Sequence, residues 1–329
     1  MATPAPHGHV PVLLDETADL LAPALAAPDP VVIDMTLGLG GHAAELLGRF
    51  PSLRLIGIDR DPEALAHAGE RLSGFGDRFT AVRATYDDVL DITRKVIGHP
   101  VTAVLADLGI SSLQVDDDDR GFSYARDVAL DMRMDPTTGP SAADVVNEYS
   151  EPELVRILRD YGEERFARRI ARQIIAARAD GPIRRSAHLV EVVREALPVA
   201  ARGPGNPAKR VFQAVRIEVN AELTILERAL PAAVECLAVG GRIVVLAYHS
   251  LEDRLVKRTF ARGATSSAPQ GLPVEPATHR PYLRLLTRGA VTASPDEIAQ
   301  NPRSASVRLR GAERLRPTPE HLNPARWAA

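Results

Sequence analysis

The sequence predicts an α/β protein in which a mostly parallel sheet is wound with helices and interrupted by one helical insert. Three observations carry that expectation. Apolar runs at 31–33, 53–58 and 101–106 alternate with helix-like segments, as βα units do. The first run opens into a glycine turn, Asp34-Met35-Thr36-Leu37-Gly38-Leu39-Gly40-Gly41-His42. From residue 115 the alternation stops for roughly a hundred residues and then resumes.

Taken in order, residues 10–27 read as a short helix, with Val12, Leu13, Leu14, Ala18, Leu20 and Leu21 at helical spacing ahead of Pro28-Asp29-Pro30. The strand at 31–33 then meets the glycine turn and a helix that begins near Ala43. Gly38-x-Gly40-x-x-Ala43 fits the tolerant form of the dinucleotide fingerprint, because glycines accept positive φ and the helix start offers free N–H groups. Alone, the pattern is shared with ordinary tight βα turns. The second strand supplies an anchor. It ends in Asp59, about 20 residues beyond the glycines, where a carboxylate accepts both hydroxyls of a ribose. Asp61-Pro62-Glu63 is the better start for the helix at 62–73, which leaves Asp59 for a ligand.

A third strand, 78–82, precedes Tyr86, whose ring suits either an adenine face or the sheet edge. The fourth strand runs into Asp107-Leu-Gly-Ile-Ser-Ser-Leu-Gln114. Ligands of open α/β sheets bind outside the carboxyl ends of strands, so this loop is expected to share a crevice with the glycine turn. Asp107 is its strongest chemical candidate, since Ser111 and Ser112 are better placed to cap a following helix.

The insert is electrically two-sided. Residues 114–150 carry 3 Arg against 9 Asp and Glu, whereas 151–211 carry 13 Lys and Arg against 8 Asp and Glu. Arg165, Arg168, Arg169 and Arg172 have the spacing of one helical face, and Arg184, Arg185, Lys209 and Arg210 extend the basic character. Charge runs are usually solvated faces, with Glu163 and Glu164 as available partners. The extension favours a phosphate-binding surface instead. After Gly203-Pro-Gly-Asn-Pro207 a long helix is expected from Arg210, then a fifth strand from Arg242 ending at Tyr248-His249-Ser250. His249 at that strand end is a further candidate, although a lone histidine more often holds a loop. Residues 261–280 read as a long mobile loop, and 282–287 and 304–310 as two final strands.

Composition sets the outer limits. With 329 residues, 45% hydrophobic and 25% charged, the chain is an ordinary soluble globular protein, and its net charge of −3 means that any basic surface is local. The single cysteine, Cys236, excludes an intramolecular disulfide and a cysteine-based zinc site. His7 and His9 lack acidic or sulfur partners at ligand spacing, so no metal is expected. Without a signal-like start or an apolar run near the ~18 residues of a membrane span, cytoplasm is the expected compartment.

A series of motifs in order resembles the RsmH/MraW family of bacterial 16S rRNA cytosine-N4 methyltransferases. These are His9 to Glu16, Gly38 to His42, Asp59 to Pro62, Asp107 to Ser112, Arg120 to Tyr124 and Leu130 to Pro136. They continue with Tyr161 to Phe166, Phe212 to Ile217 and His249 to Arg254. The resemblance implies a Rossmann-like class I methyltransferase fold with a seven-stranded sheet. The methyltransferase domain would span 1–113 and 212–329, and a mainly helical substrate-recognition domain 114–211. It further implies S-adenosyl-L-methionine as cofactor, held by Gly40, Gly41, His42, Asp59, Tyr86, Asp107 and Gln114, and a cytosine in the decoding region of 16S rRNA as target. Some relatives have phenylalanine at the position of Tyr86, so stacking survives while a hydroxyl contact would be particular to this chain. The implied partner is 16S rRNA or the small ribosomal subunit, with no membrane and with room for a homodimer. Asp107 is the expected proton acceptor, helped by Ser111 or His249, although binding the cofactor's amino acid end is an equal alternative for it. A nicotinamide oxidoreductase lacks its second half-domain here, and a non-catalytic RNA-binding factor would not need the intact site residues.

Overall fold

The structure, a computed structural model, describes residues 11–199, 206–269 and 274–322. His7, His9, residues 203–205 and part of the loop expected at 261–280 lie outside the described residues. In chain order the helices are α1 (Leu14–Leu25), α2 (Gly41–Arg49), α3 (Pro62–Leu72), α4 (Val89–Ile92), α5 (Ser112–Asp116), α6 (Ala142–Glu148) and α7 (Glu151–Asp160). They continue with α8 (Ala167–Ala179), α9 (Ser186–Ala196), α10 (Lys209–Asn220), α11 (Glu222–Cys236), α12 (Ser250–Ala264) and α13 (Pro295–Gln300). The chain forms two compact units, one of residues 1–109 with 224–329 and one of residues 110–223. Among the described residues no helix is long and apolar enough to cross a membrane.

The first unit is built on strands β1 (Val31–Asp34), β2 (Arg54–Asp59), β3 (Phe79–Arg83), β4 (Val101–Asp107), β5 (Leu237–Ala247), β6 (Leu283–Leu285) and β7 (Arg308–Arg314). Their order is β3-β2-β1-β4-β5-β7-β6; the first five are parallel and β7 runs antiparallel to both neighbours. This is the Rossmann-like class I methyltransferase arrangement, a seven-stranded sheet with helices. Why the strands read as unbroken apolar runs follows from the side-chain period of two. Val31 and Ile33 enter one core with Leu226, Leu230, Val256 and Phe260. Val32 enters the other with Leu21, Leu46, Leu47 and Leu72. Both faces are buried, so neither alternates with polar residues.

Three expectations about the elements change. The long helix expected from Arg210 is two helices, because Ala221 adopts the left-handed conformation at φ 52 between α10 and α11. Residues 261–264 are the last turn of α12 rather than loop: the helical period holds through buried Val256, Phe260 and Gly263, and a Cβ on Gly263 would lie 2.5 Å from Leu283 Cδ1. The last strand starts at Arg308, since Pro302–Ser306 is a 3-10 turn.

The second unit packs α6 to α10 around Leu154, Ile157, Ile170, Ile174, Leu189, Val193 and Phe212. Its edges fall at 110 and 223 where 114 and 211 were expected, because Val211, Phe212, Ala214 and Val215 of α10 belong to this core. Gly121 shows why the Arg120-Gly-Phe motif needs its glycine: φ is +73 and a Cβ would sit 2.3 Å from the Ala129 carbonyl oxygen.

Candidate functional site

In the first unit, β1, β2 and β4 end in Asp34, Asp59 and Asp107, and the register sets Asp34 opposite both Gly57 and Leu105. Three carboxyl groups therefore line one edge of the sheet. The turn after β1 is tied to the neighbouring strands, with Met35 N–H donating to the Leu105 carbonyl at 2.8 Å and Leu37 N–H to that of Ile58 at 2.9 Å. Gly38 and Gly40 have φ of +51 and +72, values an L side chain strains to adopt. Among the described residues a Cβ on Gly38 would meet only the Thr36 oxygen, at 3.9 Å, which leaves room for a ligand to approach the backbone. At Gly40 and Gly41 the missing side chains are replaced by protein, Leu72 at 3.1 Å and Pro11 at 2.5 Å. These two contribute turn geometry and the α2 N-terminus rather than open space.

Asp59 is less free than the sequence suggests. Asp61 does cap α3, accepting the Glu63 N–H at 3.1 Å, but Asp59 braces the turn: Oδ2 accepts from Gly38 N–H at 2.8 Å and Oδ1 from Asp61 N–H at 2.9 Å. Burial raises its carboxyl above the ordinary value despite those two donors. A ligand hydroxyl would use the remaining lone pairs of a carboxylate already aimed by the glycine turn.

Asp107 is the best-aimed group. Its backbone N–H donates to Thr36 Oγ1 at 2.6 Å, the Tyr248 hydroxyl donates to Oδ1 at 2.7 Å, and His42 Nε2 stands 3.5 Å from Oδ2. The Asp107 side chain keeps 26% of its surface open, so it is held and reachable at once. His42 is buried, and neither ring nitrogen has a hydrogen-bond partner among the described residues. A buried imidazole in that condition is costly unless something pairs with it. With the open face of Gly38 and the carboxyl edge, it fits a polar ligand at this end of the sheet.

Asp34 and Tyr248 are the residues that sequence reasoning did not assign. Asp34 opens the glycine turn, yet nothing in its neighbours' identity shows that it is fully enclosed. Burial, ahead of every other cause, pushes its carboxyl up to about 7, while His42 and the Thr36 N–H pull the other way. The folded chain therefore holds a proton that the unfolded chain releases between pH ~4 and ~7, and stability is lost as pH rises through that window. Asp34→Asn keeps the oxygen that accepts from Thr36 and cannot ionise. It is expected to raise the melting temperature of the ligand-free protein by several degrees at about pH 8 and to change it little at about pH 4. Equal melting of both proteins at the higher pH would contradict this account of Asp34.

The remaining candidates divide. Tyr86 follows β3 and packs, half-buried, against the first core. His249 is the N-cap of α12 in a capping box with Glu252, which is the loop-holding role. Ser111 likewise caps α5, accepting from Gln114 N–H at 3.3 Å while its own N–H donates to Gln114 Oε1 at 3.0 Å. Gln114 and Ser111 belong to the second unit, and Gln114 is buried there with its carbonyl committed to the cap. Ser111 and His249, expected as helpers of Asp107, are both helix caps, a local backbone need that the sequence pattern also signalled.

In the second unit the candidate basic residues from Arg165 to Arg210 are exposed but unequal. Arg165 precedes α8, its guanidinium 4.6 Å from the Phe166 ring centroid, so only Arg168, Arg169 and Arg172 share the helix face. Arg172 pairs with Glu151, Arg185 with Asp127, and Arg210 with Glu164 at 4.0 Å. Arg168, Arg169, Arg184 and Lys209 have no ion-pair partner among the described residues.

Comparison with known proteins places these features in company. The model of the MraW methylase family matches residues 6–315. The chain is 60% identical over 319 residues to the ribosomal RNA small subunit methyltransferase H of Beutenbergia cavernae, covering 97% of this chain and 96% of that protein. It is 59% identical to the protein of the same name from Streptomyces avermitilis, covering 94% of this chain and 97% of that one. Among solved structures, an rRNA methylase from Streptococcus thermophilus aligns over 94% of this chain and 99% of its own at a TM-score of 0.38 and 14% identity, a distant likeness.

Proposed function

The chain belongs to the MraW methylase family, and from that premise we propose that it transfers a methyl group from S-adenosyl-L-methionine to the N4 amine of a cytosine in the decoding region of 16S rRNA. The observation that carries the reading is the Asp107 carboxylate, held by the Tyr248 hydroxyl on a backbone whose N–H donates to Thr36 Oγ1, beside the glycine turn and still open to a ligand. Gly40, Gly41, His42, Asp59 and Tyr86 would hold the cofactor within the first unit. When bound, S-adenosyl-L-methionine supplies an electrophilic methyl group. What remains for the protein is to place the amine in line and to take its proton. The amine lone pair is delocalised into the cytosine ring, so an acceptor on one N–H raises its nucleophilicity. Asp107 Oδ2 is assigned that role, and it holds the proton once the new bond has formed. The target base is read in an unstacked state. Phosphate contacts fall to the basic residues of the second unit, which position the RNA without reading its sequence.

The deciding experiment is transfer of labelled methyl from S-adenosyl-L-methionine to purified immature small subunits, with naked 16S rRNA in parallel. Label recovered as N4-methylcytosine in the decoding region supports the reading. A protein that binds the cofactor but labels neither substrate would sink it. Label in both substrates or in particles alone identifies the form of substrate used.

A further inference from the structure

Tyr248 lies at the carboxyl end of β5 and enters neither the glycine turn nor the acidic edge, yet its hydroxyl reaches Asp107 Oδ1 at 2.7 Å. Several features fix that contact. The register pairs Asp107 with Leu246, and the Leu108 N–H donates to the Leu246 carbonyl at 3.0 Å, so the ends of β4 and β5 cannot slip. The Tyr248 N–H donates to Glu252 Oε2 at 2.8 Å, tying the strand end to the first turn of α12. Gly109 turns away at φ +93, and a Cβ there would sit 3.4 Å from Tyr248 Cδ2, so the ring lies against a position with no side chain. Burial and the charge of Asp107 push the phenol well above its usual range, so it keeps its proton and acts only as a donor.

We propose that Tyr248 is a positioning residue for the transfer: its hydroxyl pins Oδ1 of Asp107 so that Oδ2 is the oxygen presented to the reacting amine. This rests on the reading of Asp107 as proton acceptor given above. A carboxylate has two equivalent oxygens and rotates about its terminal bond with little resistance. Occupying one of them with a fixed donor removes that freedom and leaves a single acceptor, beside His42, whose Nε2 is 3.5 Å away. The proton leaving the amine goes to Oδ2 and makes a neutral carboxyl. Tyr248 gives up no proton at any stage, so it contributes orientation and touches neither substrate nor methyl group.

The test is Tyr248→Phe, alone and combined with Asp107→Ala, read in three ways: methyl transfer in a single turnover, cofactor affinity by calorimetry, and unfolding of the ligand-free protein. Tyr248→Phe is expected to slow transfer about 10- to 100-fold with cofactor affinity within about twofold of the parent. In the Asp107→Ala background, which leaves the hydroxyl no acceptor at this position, the same change is expected to add nothing, because a residue acting through Asp107 has nothing left to orient. Unfolding of the ligand-free proteins is expected to show the same non-additivity, which reports the hydrogen bond without any reaction. Transfer at the parent rate overturns the proposal, and so does an equal slowing in both backgrounds. A Tyr248→Phe protein that melts more than ~10 °C lower overturns it too, since the hydroxyl would then be holding the fold. If the parent protein transfers no methyl at all, the proposed function fails, and the unfolding cycle alone still tells whether Tyr248 and Asp107 are coupled.

Discussion

Asp107→Asn is expected to lower single-turnover methyl transfer by about 10²–10⁴-fold while the protein folds and melts much as the parent does. The substitution is nearly isosteric, so its effect comes from chemistry. Because the Tyr248 hydroxyl donates to Oδ1, the amide oxygen settles in that place and the NH2 group takes that of Oδ2. A donor then faces the amine where an acceptor is needed, and no group can receive the departing proton. Measurement at saturating cofactor, with the dissociation constant determined separately, distinguishes the two roles open to this carboxylate. If Asp107 only holds the positive amino end of the cofactor, the variant loses affinity and regains the parent rate at saturation. That outcome would falsify its assignment as proton acceptor.

Replacing Arg168, Arg169, Arg184 and Lys209 together by alanine is expected to weaken RNA binding roughly 10²-fold or more at moderate salt, with the transfer rate at saturating RNA unchanged. The slope of log affinity against log salt should flatten by about 0.7–0.9 for each phosphate that is no longer neutralised. These four are chosen because no carboxylate among the described residues neutralises them. The pairs made by Arg172, Arg185 and Arg210 are exposed on the arginine side, and exposed pairs are worth about 0–1 kcal/mol. Removing those three should therefore cost less per residue, because each already has a partner that competes with phosphate. Filter binding or fluorescence anisotropy across a salt series reads both sets. An unchanged slope in the fourfold variant would place the RNA surface elsewhere.

The acids at the strand ends show how far the site was legible. Asp59 and Asp107 could be assigned because strand, loop and spacing are local patterns, and a carboxylate after an apolar run announces the ligand edge of a parallel sheet. Their partners could not. Asp59 braces Gly38 across 21 positions, and Tyr248 reaches Asp107 across 141. Nothing in a sequence window carries contacts of that range. The protonation of Asp34 was equally invisible, since it depends on complete enclosure and not on neighbours in the chain. Ser111 and His249 went the other way. Their capping boxes are four-residue patterns, legible within a short window.

The sequence by itself determined the class of the fold, the order of its elements, the interruption by a helical unit and the family. These rest on hydrophobic periodicity, turn residues and motif order, all properties of short stretches. Tertiary structure alone decided how the candidate side chains are held. It committed Gly41 to Pro11, split the basic residues into paired and unpaired, and closed the phenol of Tyr248 onto Asp107. The physical reason is that a group's charge, donor state and aim are set by what surrounds it in space, and packing draws those surroundings from every part of the chain.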